Sequence, residues 1–263
     1  MKALFKYELK SSIKSFLIWT LVVGGMGFFC LILFKSMESQ MAGMAENFAS
    51  MGSFSDAFGM NVLSIATPKG FFATEIGTTH ALGASLFAAS VATVILSKEE
   101  DGHTAEFTYT LPITRTKVVV IKTITVVTEL FLFTAICGLL YYIGFAVIGE
   151  TNLGSEFFAY ISAQFMMSIE VGAICFFLSA VSKKNRLGIG IGVAMLLYIL
   201  DLMARVIPDL EKVKMITPFS YANAAEIFSK TADSTVALIF GVCITIFFFA
   251  GAGVLYVRRD LAN

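Results

Sequence analysis

Four charged side chains fall inside long apolar stretches of this sequence, and they are its first candidates for chemistry. Glu170 lies near the middle of one stretch and Glu129 a few residues into another. Asp201 and Arg205 stand one helical turn apart in a third. If the stretches cross a bilayer, a charge at its centre costs about 2.5–3.5 kcal/mol on insertion scales, so each group must face protein or a watery cavity. Glu129 and Glu170 could therefore line a translocation path, or serve only as hydrogen-bonding partners between helices. Asp201 and Arg205 are spaced to form a structural ion pair, or to reach outward to the interface.

Other chemistry is missing. There is no GxxxxGK[ST], so nothing in the chain can cradle ATP phosphates. His80 and His103 are isolated, which leaves no HExxH and no Ser/His/Asp set. Gly188, Gly190 and Gly192 do not make GxGxxG; Gly188 and Gly192 fit close small-xxx-small helix packing instead. Cys30, Cys137, Cys175 and Cys243 fall in four different apolar blocks with no CxxC pair, and behave as small packing residues. No catalytic residue, bound cofactor or metal site is expected.

The elements that must position these residues are membrane helices. Of 263 residues, 57% are hydrophobic and only 14% charged, with zero net charge and a mean hydropathy of +0.82. A soluble domain carries about 25% charge, and the neutral balance gives no field for nucleic acid. Six blocks are long enough to cross about 30 Å of hydrocarbon: Phe16–Phe34, Ile76–Leu96, Ile124–Ile148, Phe158–Val181, Leu187–Ile207 and Val236–Val257. The second is the least clean: Glu75, Gly77, Thr78, Thr79 and His80 crowd its start, so its outer end could be irregular or re-entrant. Backbone at membrane depth must bond internally, so the expected fold is an all-α membrane protein of six transmembrane helices. The first block follows fifteen residues and has no A-x-A-like cleavage site after it, so it is expected to stay as the first span.

Lysine and arginine set the orientation. Lys2, Lys6, Lys10, Lys14, Lys98, Arg115, Lys117, Lys122, Lys183, Lys184, Arg186, Arg258 and Arg259 lie in one set of segments; Lys35, Lys69, Lys212, Lys214 and Lys230 lie in the other. The richer set is expected in the cytoplasm, with both termini, in a multi-pass plasma-membrane protein. Residues 1–15 repeat lysine at every fourth position, with Leu4, Phe5, Leu9 and Ile13 largely elsewhere. That suggests an amphipathic helix at the cytoplasmic interface, or simply a basic flank. In the loop 97–123, Glu99, Glu100, Asp101 and Glu106 precede Phe107, Tyr109 and Leu111, and Pro112 ends any helix there. A helix that short with exposed aromatics needs a partner surface; the alternative is a solvated connector. In the outer loop 35–70, Met37, Met41, Met44, Phe48 and Met51 recur in steps of four and three. They form one apolar stripe, suited to packing, to the outer leaflet or to an exit path. The last outer loop, 208–235, shows no chemistry.

Four stretches resemble the permease subunits of ABC-2-type ABC transporters. They are FKYELKSSIKSFLIW (Phe5–Trp19), EEDGHTAEFTYTLPITRTKVVVIK (Glu99–Lys122), ITPFSYANAAEIF (Ile216–Phe228) and VRRDL (Val257–Leu261). The cytoplasmic loop, where Gly-x-Thr leads to Leu-Pro-Ile-Thr-Arg and a later lysine, is the most specific. The resemblance implies a single transmembrane permease domain over residues 1–263. ATP and Mg would be bound and hydrolysed on a separate ABC ATPase subunit, and a second permease copy would complete a homodimer. It makes Glu106, Phe107, Thr108, Tyr109, Leu111 and Pro112 the coupling helix seated in the ATPase, flanked by Phe5 and Tyr7 of the interfacial helix. The expected cargo of this bacterial exporter is an amphipathic or hydrophobic peptide, such as a toxin or antimicrobial peptide. An ion- or proton-coupled secondary transporter or channel using Glu129 and Glu170 is the other transport class open to the sequence, and a membrane-anchored assembly or sensor protein a third class.

Overall fold

A computed structural model describes residues 2–104, 113–231 and 235–258, with the side chain of Glu211 set aside. Among the described residues every regular element is helical. Five helices are long and apolar enough to cross a membrane: α1 (Lys2–Ala49), α6 (Arg115–Val147), α7 (Gly154–Val181), α8 (Leu187–Val206) and α11 (Thr235–Arg258). The shorter elements are α2 (Ser53–Phe58), α3 (Pro68–Phe71), α4 (Gly77–Ala92), α5 (Lys98–Asp101), α9 (Glu211–Lys214) and α10 (Ala224–Ser229).

The first helix is one 48-residue rod, about 72 Å at 1.5 Å per residue. It contains the basic N-terminal segment, the first apolar block and the methionine stripe as far as Phe48, with Met51 just past its end. The stripe is therefore not a separate outer helix but an extension of the span. A π-helical turn at Leu21–Gly25 interrupts it, and the hydroxyl of Tyr141 donates to the Val23 carbonyl there at 3.3 Å.

The second apolar block is helical with the irregular outer end expected of it, but its bounds shift from Ile76–Leu96. Helix begins earlier, at Pro68, where Thr67 caps the first turn by accepting from the Gly70 amide. It passes through a π-helical stretch, Phe72–Ile76, and ends at Ala92, with turns over 93–97. By composition it falls short of a lipid-exposed span, and the physical reason is its position. Most of α4 is buried, with Ala84, Phe87, Ala88, Ala89 and Ala92 sealed completely. A helix ringed by α1, α6, α7 and α8 does not need the uniform apolarity of one facing lipid. Its alanines let neighbouring backbones come close, which is how membrane helices associate when lipid is as apolar as leucine. By contrast, α11 shows Ile239, Ile246, Phe247 and Val254 outward.

At the core, Phe72 is fully buried with ring centroids of Tyr141, Phe145, Phe157, Tyr160 and Phe228 between 5.1 and 6.0 Å away. These rings tie α6, α7 and α10 to the Phe72–Ile76 turn. His80 joins them: its Nδ1 lies 2.8 Å from the Tyr141 hydroxyl, and its ring stacks on Phe133.

The glycines of α8 have unequal surroundings. Gly188 and Gly192 face open space within the chain, while Gly190 packs on Thr93, whose Cβ would lie 2.9 Å from an added methyl. The close approach of α8 to α4 thus depends on Gly190. Gly190→Val should overpack that contact and cost about 1–3 kcal/mol, whereas Gly188→Ala should stay within about 0.5 kcal/mol of the native protein. Thermal unfolding of the two purified variants in one detergent checks the contrast; equal midpoints would refute it.

Candidate functional site

The most heavily charged buried region is not where the spans carry their isolated carboxylates. It lies at the end of the bundle where α1 begins, and Lys122 is its centre. Lys122 is fully buried in α6. Its ammonium donates to the Ile95 carbonyl, pairs with Glu99 Oε1 at 2.5 Å, and lies 3.4 Å from Glu8 Oε1. Glu8, itself 1% exposed, also pairs with Lys98 through its other oxygen. Lys98 reaches Ser11 Oγ at 3.3 Å and sits 5.7 Å over the ring of Tyr7. One helical turn further along α1, the Ser12 hydroxyl donates to Glu129 Oε1 at 2.5 Å.

The sequence explains this assembly locally. Glu8 and Ser12 are i and i+4 on α1 and share a face; Lys122, Thr125 and Glu129 recur at helical spacing on the buried face of α6. The backbone ends α4 at Ala92 and turns over 93–97, which brings Lys98 and Glu99 beneath α1. Ser179 of α7 fixes that turn by accepting the Leu96 amide at 2.9 Å and the Ser97 amide at 3.2 Å. A cavity of about 350 Å³ opens beside the cluster, with Tyr7, Ser11, Ser15, Ser90, Lys98 and Glu129 in its wall.

Each sequence-derived candidate has a definite place. Tyr7 is exposed and Phe5 half-buried on α1. Glu106, Phe107, Thr108, Tyr109, Leu111 and Pro112 lie outside the described residues. The charge cluster stands at both flanks of that stretch, because Glu99 precedes it and Lys122 follows it. Glu129 and Glu170 are not brought together. Glu129 belongs to the cluster under α1, whereas Glu170 accepts from the Tyr221 hydroxyl at 2.7 Å and faces Gly241 of α11, where an added Cβ would strike its carboxylate. Asp201 and Arg205 form an ion pair; Asp201 also accepts from the Thr217 hydroxyl at 2.7 Å, and Arg205 donates to the Ala57 carbonyl at 3.3 Å.

The last loop, in which the sequence showed no chemistry, needs correction. Thr217, Phe219, Ser220, Tyr221, Ala222, Asn223, Ala224 and Ala225 are all buried. The segment is inserted into the end of the bundle opposite the charge cluster. Gln164 of α7 holds it by donating to the Ala222 carbonyl at 2.8 Å, and Asn223 caps α10. Beyond it, Lys230 pairs with Glu156 at 2.6 Å, and that neighbouring carboxylate raises the ammonium above its ordinary value.

No metal-binding group of His, Cys, Asp or Glu occurs among the described residues. What remains is a multi-pass helical membrane protein with a buried ion cluster at one end and an inserted segment at the other. The family described as ABC-2 family transporter protein matches residues 2–261, and the chain belongs to that family. It is thus the membrane component of a transporter. Among curated proteins, none matches the chain.

Removing the central cation tests the cluster's energetics. Lys122→Met strands Glu99 and half of Glu8, and should cost about 3–5 kcal/mol. Adding Glu99→Gln should restore part of that loss, because the two positions couple. Unfolding midpoints and membrane yields of the single and double variants measure this; strict additivity would show that no coupling exists.

Proposed function

We propose that this protein is the permease of an ATP-driven exporter of the bacterial plasma membrane, working as a pair of identical permeases with two ABC ATPase subunits. Membership of the ABC-2 family over residues 2–261 carries the reading. On it, the 68–92 helix with its π-helical stretch is the sixth span, both termini are cytoplasmic, and residues 2–15 lie at the inner interface. The residues Glu106–Leu111 form the coupling helix, and Pro112 ends it.

The buried cluster supports this assignment physically. A cytoplasmic ATPase that moves residues 106–111 pulls on both flanks of that loop. Glu99 and Lys122 are ionically joined, and Lys122 also faces Glu8 of α1. Displacement of the loop is then carried into α1 and α6 as one movement, since separating the partners would strand charge in a dry interior. The shift in the spans is a rocking between two packed arrangements.

For cargo we favour amphipathic or hydrophobic peptides. The outer extension of α1 presents Met37 and Met44 to the surroundings, and Met51 just beyond it is exposed too; flexible methionines suit varied apolar ligands. Glu129 and Glu170 then serve as anchors for Ser12 and Tyr221 rather than as carriers of an ion.

Two measurements test the proposal. Phe107→Ala with Tyr109→Ala should reduce capture of the ATPase on affinity-purified permease at least about tenfold, as removal of interface aromatics usually does. Unchanged capture and unchanged stimulated turnover would remove the coupling role. Amphipathic peptides should raise ATP turnover of the reconstituted complex above its basal rate, and silence across a peptide panel would remove the cargo preference.

A further inference from the structure

A second charged region lies at the same end of the bundle, and its chemistry is opposite to that of the Lys122 cluster. The turn between α7 and α8 carries Lys183, Lys184 and Arg186 in four residues. Ser179, one turn before it, holds the Leu96 and Ser97 amides, so this turn sits at the level of Lys98. The three cations line a cavity of about 560 Å³ together with Leu178, Val181 and Ile189. Among the described residues no acidic side chain lines it, and the three basic side chains have neither an ion-pair nor a hydrogen-bond partner. Lys98 and Lys122, by comparison, are fully paired.

The turn is held in shape. The Ser182 hydroxyl donates to the Lys184 carbonyl at 2.7 Å and accepts from the Lys184 amide at 3.3 Å. The Leu187 amide, first in α8, is capped by Asn185 Oδ1 at 3.0 Å. The positive end of the α8 dipole adds to the field of the three cations. Beside them the cavity wall turns apolar without a break: Val181 is 58% and Ile189 45% exposed. The cations therefore sit where polar surface gives way to the lipid-facing surface of α7 and α8.

We propose that this cavity binds the headgroup of an anionic phospholipid, with the phosphate on Lys183, Lys184 and Arg186 and the upper acyl chain along Val181 and Ile189. Charge and apolar wall are both needed for that choice. An acidic protein surface would complement the cations but leave Val181 and Ile189 against water. A free phosphate would leave them uncovered as well. Basic cavities between membrane helices are suited to phospholipid headgroups, and guanidinium and ammonium donors match phosphate oxygens. The inference does not depend on the transport mechanism proposed above.

The test is a titration of the purified full chain with phosphatidylglycerol or phosphatidylcholine, read by native mass spectrometry. Lys183→Gln/Lys184→Gln/Arg186→Gln is compared with Lys6→Gln/Lys10→Gln/Lys14→Gln, which removes the same charge from α1. Each basic residue near an anionic headgroup is worth roughly fivefold in affinity, so the first variant should bind phosphatidylglycerol about ten- to a hundredfold more weakly. Its phosphatidylcholine binding, and both lipids on the α1 variant, should change by less than about threefold, below the effect of a single lost contact. Equal loss in the two variants would reduce the site to a diffuse field and overturn the proposal. So would unchanged phosphatidylglycerol binding in the first variant. Glycerol 1-phosphate binding as tightly as the lipid would identify a soluble phosphate site instead. If the first variant lost ATPase capture while keeping the lipid, the surface would belong to a protein partner and the lipid assignment would fall.

Discussion

Lys122 cannot stand alone where it is. Its ammonium is sealed from solvent at the end of a helix bundle, where an unpaired charge is worth several kcal/mol of destabilisation. It is satisfied only because two other segments converge on α6 there: Glu8 of α1, and residues 95–99 through the Ile95 carbonyl and Glu99. The requirement works in both directions. The helices must assemble in this arrangement to bury the cation, and once buried the cation holds them there. Glu8 is the shared partner, because its two oxygens face Lys122 and Lys98 separately. The start of α1 is thereby fastened to α6 by charge rather than by the weak apolar contact available to helices in lipid.

Polar contacts at other levels have a different character. Midway along the bundle, His80, Tyr141 and the Val23 carbonyl connect α4, α6 and the π-helical turn of α1. At the far end, Glu170–Tyr221, Gln164–Ala222 and Asp201–Thr217 hold the inserted segment. Each of these contacts joins at least one neutral group, and single hydrogen bonds of that kind contribute about 0.5–3 kcal/mol. The ion cluster differs because removing one member leaves an uncompensated buried charge, a situation shared at the far end by Asp201 and Arg205.

How much of this was legible in the sequence depended on whether partners were near each other in the chain. Hydropathy located the long apolar helices, since lipid exposure leaves a continuous apolar record. It served poorly for α4, whose neighbours replace lipid and which tolerates Glu75, Thr78, Thr79 and His80 near its start. Asp201 and Arg205 could be matched because they are four residues apart on one helix. Lys122 looked like one more cation flanking a span, and Glu8 was hidden among lysines on a helix that looked simply basic. Nothing within either segment signals a partner more than a hundred residues away. The inserted segment was opaque for a related reason: its side chains are ordinary, and only Gln164, Glu170 and Asp201 in distant helices make them structural. The methionine spacing of 37–51 was visible, but not its fusion to the first span, because the polar residues Lys35, Ser36 and Glu38 resemble a helix boundary.

These differences in strength bear on how such a bundle moves. If loop 97–123 is where an external force acts, the force meets a junction that resists opening, so α1, the 95–99 turn and the start of α6 shift together. The strain must be released where contacts exchange at low cost, and the hydrogen bonds of the inserted segment are such contacts. Tyr221, once released from Glu170, can hydrogen-bond to water if the far end opens, whereas Lys122 released from Glu99 finds none in its sealed position. A buried ionic junction at one end and a segment held largely by hydrogen bonds at the other would turn a displacement at one membrane surface into an opening at the other. The π-helical turn at Leu21–Gly25 lies between the two levels on α1. It is the one position on that 48-residue helix where the regular hydrogen-bond ladder is already interrupted, and bending there disturbs the fewest bonds.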